Sequence, residues 1–69
     1  MKKTVLIIGA GFGQIPAIQK ARSMGFDVVA IDKNPDAIGM PLATYSYPID
    51  VLDVQGAIKV AKNHKIDGV

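Results

Sequence analysis

The amino-acid sequence predicts an open α/β sheet of parallel strands with a helix on each face. Two short runs of apolar, mostly β-branched residues, Thr4–Ile8 and Asp27–Ile31, are typical of strands that are buried on both sides. Between them lie a glycine-rich turn over residues 9–13 and a segment whose apolar residues recur at helical spacing. Because parallel strands need such a crossover connection, the three observations together predict this fold class.

The first helix is predicted over residues 14–24. Pro16 would fall in its first turn, where the missing N–H costs nothing, and Gly25 is suited to the position that follows a helix. The apolar residues of its buried face recur every three positions, at Ile15, Ile18, Ala21 and Met24.

The next part of the sequence predicts a long loop and an edge strand. Residues 32–44 form a connection that is long for a compact domain, which indicates a functional loop. Residues 45–49 are predicted to form the third strand. Since Pro48 cannot donate to a strand ladder, this strand should lie at the edge of the sheet.

A second helix should begin after Asp53, whose side chain is suited to an N-cap, and end near His64. Residues 66–69 then begin a fourth strand. Because the sequence stops inside this strand, we expect residues 1–69 to be the N-terminal part of a longer protein. The predicted apolar face of the second helix consists of Val54, Ala57, Ile58 and Ala61.

These elements follow the order β-α-β-β-α-β, which is Rossmann-like. An edge position for the third strand favours the sheet order 3-2-1-4, in which the two helices cover opposite faces. The strand order then reverses between the first and fourth strands. Ligands of open α/β sheets bind at such a point, outside the carboxyl ends of the strands, so the turn at residues 9–13 is the predicted site.

The glycine turn is predicted either to bind an anion or to be only a tight connection between strand and helix. Glycines permit positive φ angles and close approach of the backbone to a ligand. Successive N–H groups can form a concave nest, and the following helix adds its positive end, which favours phosphate or carboxylate. The candidate binding residues of the turn are Gly9, Gly11, Phe12, Gly13 and Gln14.

A dinucleotide-binding fingerprint is a second interpretation of the same turn. It reads G-x-G-x-x-G/A and is followed by an acid about 20 residues later. Gly9 and Gly11 match, and Asp32 stands at the end of the second strand, where a ribose-binding acid would be. However, Gln14 replaces the third glycine, which normally permits close packing of the helix on the strand. For Asp32 the structural alternative is an Asx-turn within its own loop.

The stretch GAGFGQIPAIQKARSMGFDVVAIDKNPDAIG resembles the opening of ATP-grasp ligases. That family has a GxGxGQLP-like turn, a helix that ends in a glycine-aromatic pair, and a strand that ends in D-x-N-P-x-A-x-G. Residues 9–16, 25–26 and 32–39 match these features, and KIDGV at residues 65–69 is similar to the family's fourth strand. The resemblance is greatest to phosphoribosylaminoimidazole carboxylase ATPase subunits, formate-dependent glycinamide ribonucleotide transformylases and carbamoyl phosphate synthetase large subunit-like proteins. One departure is Thr44, where the family commonly has Asp.

The resemblance implies that residues 1–69 are a pre-ATP-grasp domain that helps to bind the acceptor substrate. ATP and Mg²⁺ would be held mainly by a later domain. The implied reaction activates a carboxylate to an acyl phosphate, which an amine or another nucleophile then attacks. The turn over residues 11–14 would face the acceptor substrate, and Asp32 and Asn34 are the remaining binding candidates, although Asn34 is also suited to setting a turn before Pro35. No catalytic residue is predicted. Because the family's nucleotide-binding and metal-binding segments would lie outside residues 1–69, the chain alone should be inactive.

Two other function classes remain open, namely a dinucleotide-binding half-domain of an oxidoreductase, with NAD or FAD, and a non-catalytic interaction or regulatory module.

With no cysteine and one histidine, the sequence predicts no metal site. The net charge is +2, and the spacing of Lys59, Lys62 and Lys65 indicates a solvated helix face rather than a nucleic-acid patch. We expect a cytoplasmic protein that binds a small molecule, with neither a nucleic-acid nor a membrane partner, and that forms a homo-oligomer at full length.

Overall fold

The computed structural model of the chain describes residues 3–69. Within that range it contains a parallel sheet of three strands and two α-helices. The strands lie in the order β1-β2-β3, so the predicted order of the first three strands and the edge position of the third are confirmed. The elements are β1 (Thr4–Ile8), α1 (Ile15–Ser23), β2 (Asp27–Ile31), β3 (Tyr45–Tyr47) and α2 (Val54–His64).

Helix α1 connects β1 to β2 as predicted, but its start differs. A 3₁₀-helical turn over Phe12–Gln14 precedes it, so the last part of the glycine turn is already helical before the α-helix begins. Gly25 follows the helix with a φ of +84°, which confirms its predicted role at the helix end. Met24 lies beyond the helix with 57% of its side chain exposed, so its assignment to the buried face was wrong.

The two helices cover opposite faces of the sheet, as predicted. Neighbouring residues of a strand point to opposite faces. In β2 the even-numbered residues join one buried cluster with α1, and the odd-numbered ones join another with α2. The first cluster contains Ala10, Ile18, Val28, Ala30, Ala37 and Met40. The second contains Leu6, Val29, Ile31 and Val60.

Helix α2 is rotated relative to the prediction. Asp53 accepts a hydrogen bond from the Gly56 N–H at 3.0 Å, which confirms the N-cap. Val60 is the buried residue of the helix, whereas Val54 and Ile58 are 63% and 45% exposed. Ala57 and Ala61 pack against the same cluster as Val60. Periodicity predicts that a helix has an apolar face, but the docking of the helix on the sheet decides which residues are buried.

The last two segments are shorter than predicted. Strand β3 ends at Tyr47, and the Ile49 N–H donates back to the Tyr47 carbonyl at 2.9 Å instead of continuing the ladder. Residues 66–69 form no strand, but Gly68 makes a parallel bridge with Val5. The Leu6 N–H donates to the Gly68 carbonyl at 2.8 Å. This segment therefore lies beside β1, as the order 3-2-1-4 requires.

Candidate functional site

The glycine turn begins where β1 ends, at the carboxyl edge of the sheet. The Gly9 N–H donates to the carbonyl of Ile31 at 2.7 Å, which ties the turn to the end of β2. Gly9 has a φ of +92°, a conformation that residues with side chains rarely adopt, so this position requires glycine. Ala10 is fully buried in the cluster beneath α1. The turn therefore rests directly on the hydrophobic core.

Three backbone donors of the turn have no hydrogen-bond partner among the described residues. Within residues 3–69 the structure gives no acceptor to the N–H groups of Gly11, Phe12 and Gly13. The Gln14 N–H, by contrast, donates to the Gly11 carbonyl at 3.1 Å, and the Ile15 N–H donates to the Phe12 carbonyl. Because the positive end of α1 follows at once, these donors are arranged to attract phosphate or carboxylate oxygens.

The side chain of Gln14 folds back over the turn. A Cβ atom built on Gly11 would lie 3.4 Å from the Gln14 Oε1, and one built on Gly9 would lie 3.6 Å from its Nε2. The amide of Gln14 is therefore beside both glycines that match the dinucleotide fingerprint. It brings a neutral donor and acceptor to the place where the fingerprint has the third glycine.

The carboxylate of Asp32 holds both the turn and its own loop. Its Oδ2 accepts the Ala10 N–H at 2.9 Å, and its Oδ1 accepts the Asn34 N–H at 2.9 Å. The second bond confirms the Asx-turn alternative for Asp32. The N–H of Asn34, followed by that of Ala10, lowers the pKa of the Asp32 carboxyl below its ordinary value, against a smaller opposing effect of desolvation.

The loop after β2 also contacts the carbonyl of the same residue, Ala10. The Gly39 N–H donates to the Ala10 carbonyl at 2.8 Å, and a Cβ atom on Gly39 would lie only 2.7 Å from that oxygen. Sequence reasoning missed both Ala10 and Gly39 as parts of the site. The glycine that ends the D-x-N-P-x-A-x-G pattern was the available signal, because such a glycine can mark close approach of backbone to backbone.

The remaining predicted site residues differ in what they contact. The Oδ1 of Asn34 accepts the Asp36 N–H at 3.0 Å, so the predicted turn at this residue is confirmed, and its amide NH₂ has no partner within residues 3–69. Phe12 is 77% exposed at the tip of the glycine turn. The structure thus brings Gly9, Gly11, Gln14 and Asp32 together around Ala10. It leaves Asn34 and Phe12 at the surface of the same region.

A second group of polar and aromatic side chains joins α2 to the edge strand. The Tyr47 hydroxyl and the His64 Nε2 are 2.6 Å apart, and the Tyr45 ring centroid lies 4.7 Å from that of His64.

Among the described residues, no three His, Cys, Asp or Glu side chains are grouped so that they could hold a metal ion. No helix in the same part of the chain is long and apolar enough to cross a membrane.

A parallel sheet, a glycine turn after β1 and an acid at the end of β2 define a Rossmann-like α/β domain. Comparison with known families identifies the domain further. The chain belongs to the family described as alanine dehydrogenase/PNT, C-terminal domain, whose model matches residues 1–66.

Two curated relatives bear the name formate-dependent phosphoribosylglycinamide formyltransferase. The protein from Prochlorococcus marinus is 32% identical over 69 residues, which is 100% of this chain and 18% of that protein. The protein from Aliivibrio fischeri is 38% identical over 66 residues, which is 94% of this chain and 17% of that protein. The chain therefore spans less than a fifth of the length of the curated relatives it matches.

Proposed function

We propose that this chain is the N-terminal, acceptor-binding segment of an ATP-dependent carboxylate–amine ligase of the ATP-grasp type. The observation that carries the proposal is the set of unpaired N–H groups at Gly11–Gly13, with the amide of Gln14 folded over the same turn. The two relatives named formate-dependent phosphoribosylglycinamide formyltransferase support it, because each match covers nearly the whole chain.

The name of these relatives indicates which substrates to test. In the proposed reaction an oxygen of formate attacks the γ-phosphorus of ATP, which gives formyl phosphate and ADP. The amine of phosphoribosylglycinamide then attacks the formyl carbon, and inorganic phosphate leaves as the amide bond forms. ATP and Mg²⁺ would be bound mainly outside residues 1–69, so the chain by itself binds the acceptor but does not turn over ATP.

The residues of the turn would share the work of binding. The N–H groups of Gly11, Phe12 and Gly13 would donate to a phosphate or carbonyl oxygen of the acceptor substrate. Gln14 would add one neutral hydrogen bond, and the free NH₂ of Asn34 would add a donor at the mouth of the loop. Asp32 would contribute indirectly, by holding the turn through its hydrogen bond to the Ala10 N–H.

The test compares two glycine substitutions in the purified chain. Gly11→Val places a side chain against the Gln14 amide, whereas Gly68→Val adds the same bulk where, among the described residues, a Cβ atom would meet only Val5, at 4.0 Å. We expect Gly11→Val to weaken binding of phosphoribosylglycinamide at least about tenfold, as loss of a close polar contact does, with an unfolding midpoint close to that of Gly68→Val. If each variant loses affinity in proportion to its loss of stability, the turn is only structural.

A dinucleotide-binding domain of an oxidoreductase is the second candidate. The family match favours it, as does the position of Asp32 at the end of β2. In this function Asp32 would accept the ribose hydroxyls of NAD, and the pyrophosphate would replace the Gln14 amide over Gly11. Titration of the same chain with NADH separates the candidates. Specific chemical-shift changes at residues 9–14 with NADH, and none with phosphoribosylglycinamide, would favour the oxidoreductase.

A further inference from the structure

We propose that Asp32 is a positioning residue, which holds the Ala10 peptide so that the N–H groups of Gly11–Gly13 remain available to the ligand. The inference rests on the proposed function for the identity of the ligand. The geometry that carries it does not depend on that identity.

Residues after β2 form hydrogen bonds with both the N–H and the carbonyl of Ala10. Asp32 accepts the Ala10 N–H at 2.9 Å, and the Gly39 N–H donates to the Ala10 carbonyl at 2.8 Å. Ala10 itself is fully buried, so its side chain cannot move without disturbing the core. One residue of the glycine turn is therefore held by a charged hydrogen bond, a neutral one and close packing.

This arrangement gives the acid a second task beside the one that its sequence position predicts. A carboxylate offers about four lone-pair sites, and a ribose-binding acid uses those that face the hydroxyl groups. Here each oxygen of Asp32 already accepts a backbone N–H, one in the turn and one in its own loop. Since Asp32 occupies the Ala10 donor, the donors left for a ligand begin at Gly11. The carboxylate thus sets where on the turn a ligand is bound.

The chain contains a matched control for a merely structural role. Asp50 also forms an Asx-turn, because its Oδ1 accepts the Leu52 N–H at 2.9 Å, but in the part of the chain that the structure describes no hydrogen bond joins it to the glycine turn. Asp32→Asn and Asp50→Asn remove the same charge and weaken the same kind of local turn. They differ in whether the Ala10 N–H loses a charged acceptor.

The experiment measures amide hydrogen exchange and ligand binding in both variants of the purified chain. We expect exchange of the Ala10 N–H to accelerate about tenfold in Asp32→Asn, after correction for global stability, because a hydrogen bond to a charged group is lost. Asp50→Asn should leave it unchanged. With phosphoribosylglycinamide as the probe, affinity should fall in Asp32→Asn and recover at least partly in Asp32→Glu.

Each outcome decides one of the two proposals. Unchanged Ala10 exchange in Asp32→Asn would overturn the positioning role, whatever the ligand. Faster Ala10 exchange in a chain that binds no phosphoribosylglycinamide would support the positioning role and contradict the proposed function. If Asp32→Asn does not fold, pH titration of the wild-type chain replaces it. The amide shifts of Ala10 and Asn34 should then change together with one midpoint, and separate midpoints would overturn the proposal.

Discussion

At the scale of single residues, the D-x-N-P-x-A-x-G pattern stabilises the glycine turn. Asp32 supplies the carboxylate that accepts the Ala10 N–H, and Asn34 closes the tight turn that follows. Gly39 comes so close to the Ala10 carbonyl that no side chain fits between them. Two positions of the pattern, Asp32 and Gly39, are therefore explained by their hydrogen bonds to one residue, Ala10, which lies more than twenty positions earlier in the sequence.

Replacing Gly39 by alanine should destabilise the chain. The added Cβ atom would lie 2.7 Å from the Ala10 carbonyl oxygen and 3.1 Å from the Cδ1 of Ile18, and a backbone oxygen cannot move aside cheaply. We expect a loss of roughly 1–3 kcal/mol in the free energy of unfolding, typical of overpacking. Urea denaturation followed by circular dichroism measures it.

Gly13→Ala is the matched control for this substitution. Apart from its own chain neighbours, no atom of the described residues 3–69 lies within 4 Å of a Cβ built on Gly13, so the change should alter stability by no more than about 0.5 kcal/mol. If the two alanine variants unfold at the same urea concentration, the close approach of Gly39 to Ala10 is not present in solution.

At the scale of elements, Thr44 forms hydrogen bonds with both α1 and β2. Its Oγ1 accepts the Val28 N–H at 2.9 Å and the Nη1 of Arg22 at 2.5 Å. The Thr44 N–H donates in turn to the Val28 carbonyl at 2.9 Å. The resemblance to ATP-grasp ligases places an aspartate at this position. Because the position requires an acceptor for two donors, the threonine oxygen fills the place of a carboxylate.

Thr44→Val should therefore destabilise the contact between α1 and β2. Valine has nearly the shape of threonine but leaves the Val28 N–H without an acceptor. An unsatisfied polar group of this kind costs about 1–3 kcal/mol. Thr44→Ser keeps the oxygen and should retain most of the stability. Thermal unfolding of both variants provides the measurement, and equal melting temperatures would show that the hydroxyl contributes nothing.

At the scale of the whole molecule, acid should lower the stability of the domain through Asp32. The pKa of the Asp32 carboxyl is lowered in the folded chain, so as the pH falls the unfolded chain takes up the proton first, near the ordinary pKa of 3.8. The stabilisation is complete above that pH and is lost as the pH falls through the lower folded pKa.

Urea unfolding at several pH values tests this expectation. The difference in free energy of unfolding between the wild-type chain and Asp32→Asn should be constant near neutral pH and should shrink below about pH 4. A difference that stays constant down to about pH 2 would show that the Asp32 carboxylate gains nothing from its two hydrogen bonds on folding.

The sequence by itself determined the class of fold, the order of three strands and the placement of one helix on each face. These features depend on local signals. Continuous apolar runs predict buried strands, and helical spacing predicts the crossover. Pro48, which has no N–H to donate, predicts an edge position for the third strand, and β3 does lie at the edge although it ends one residue before the proline. The glycine turn, the cap at Asp53 and the turn at Asn34 are equally local, since each depends on residues within a few positions.

Only the tertiary structure decided which faces and peptides meet. Residues of α2 were assigned to the buried side by spacing, yet Val60 is buried and Val54 is exposed, because docking on the sheet sets the rotation of a helix. The contacts of Ala10 with Asp32 and Gly39 are separated by twenty-two and more positions, so no local pattern contains them. They form because β1 and β2 are adjacent and parallel, which brings their carboxyl ends, and the loops that follow, to the same edge.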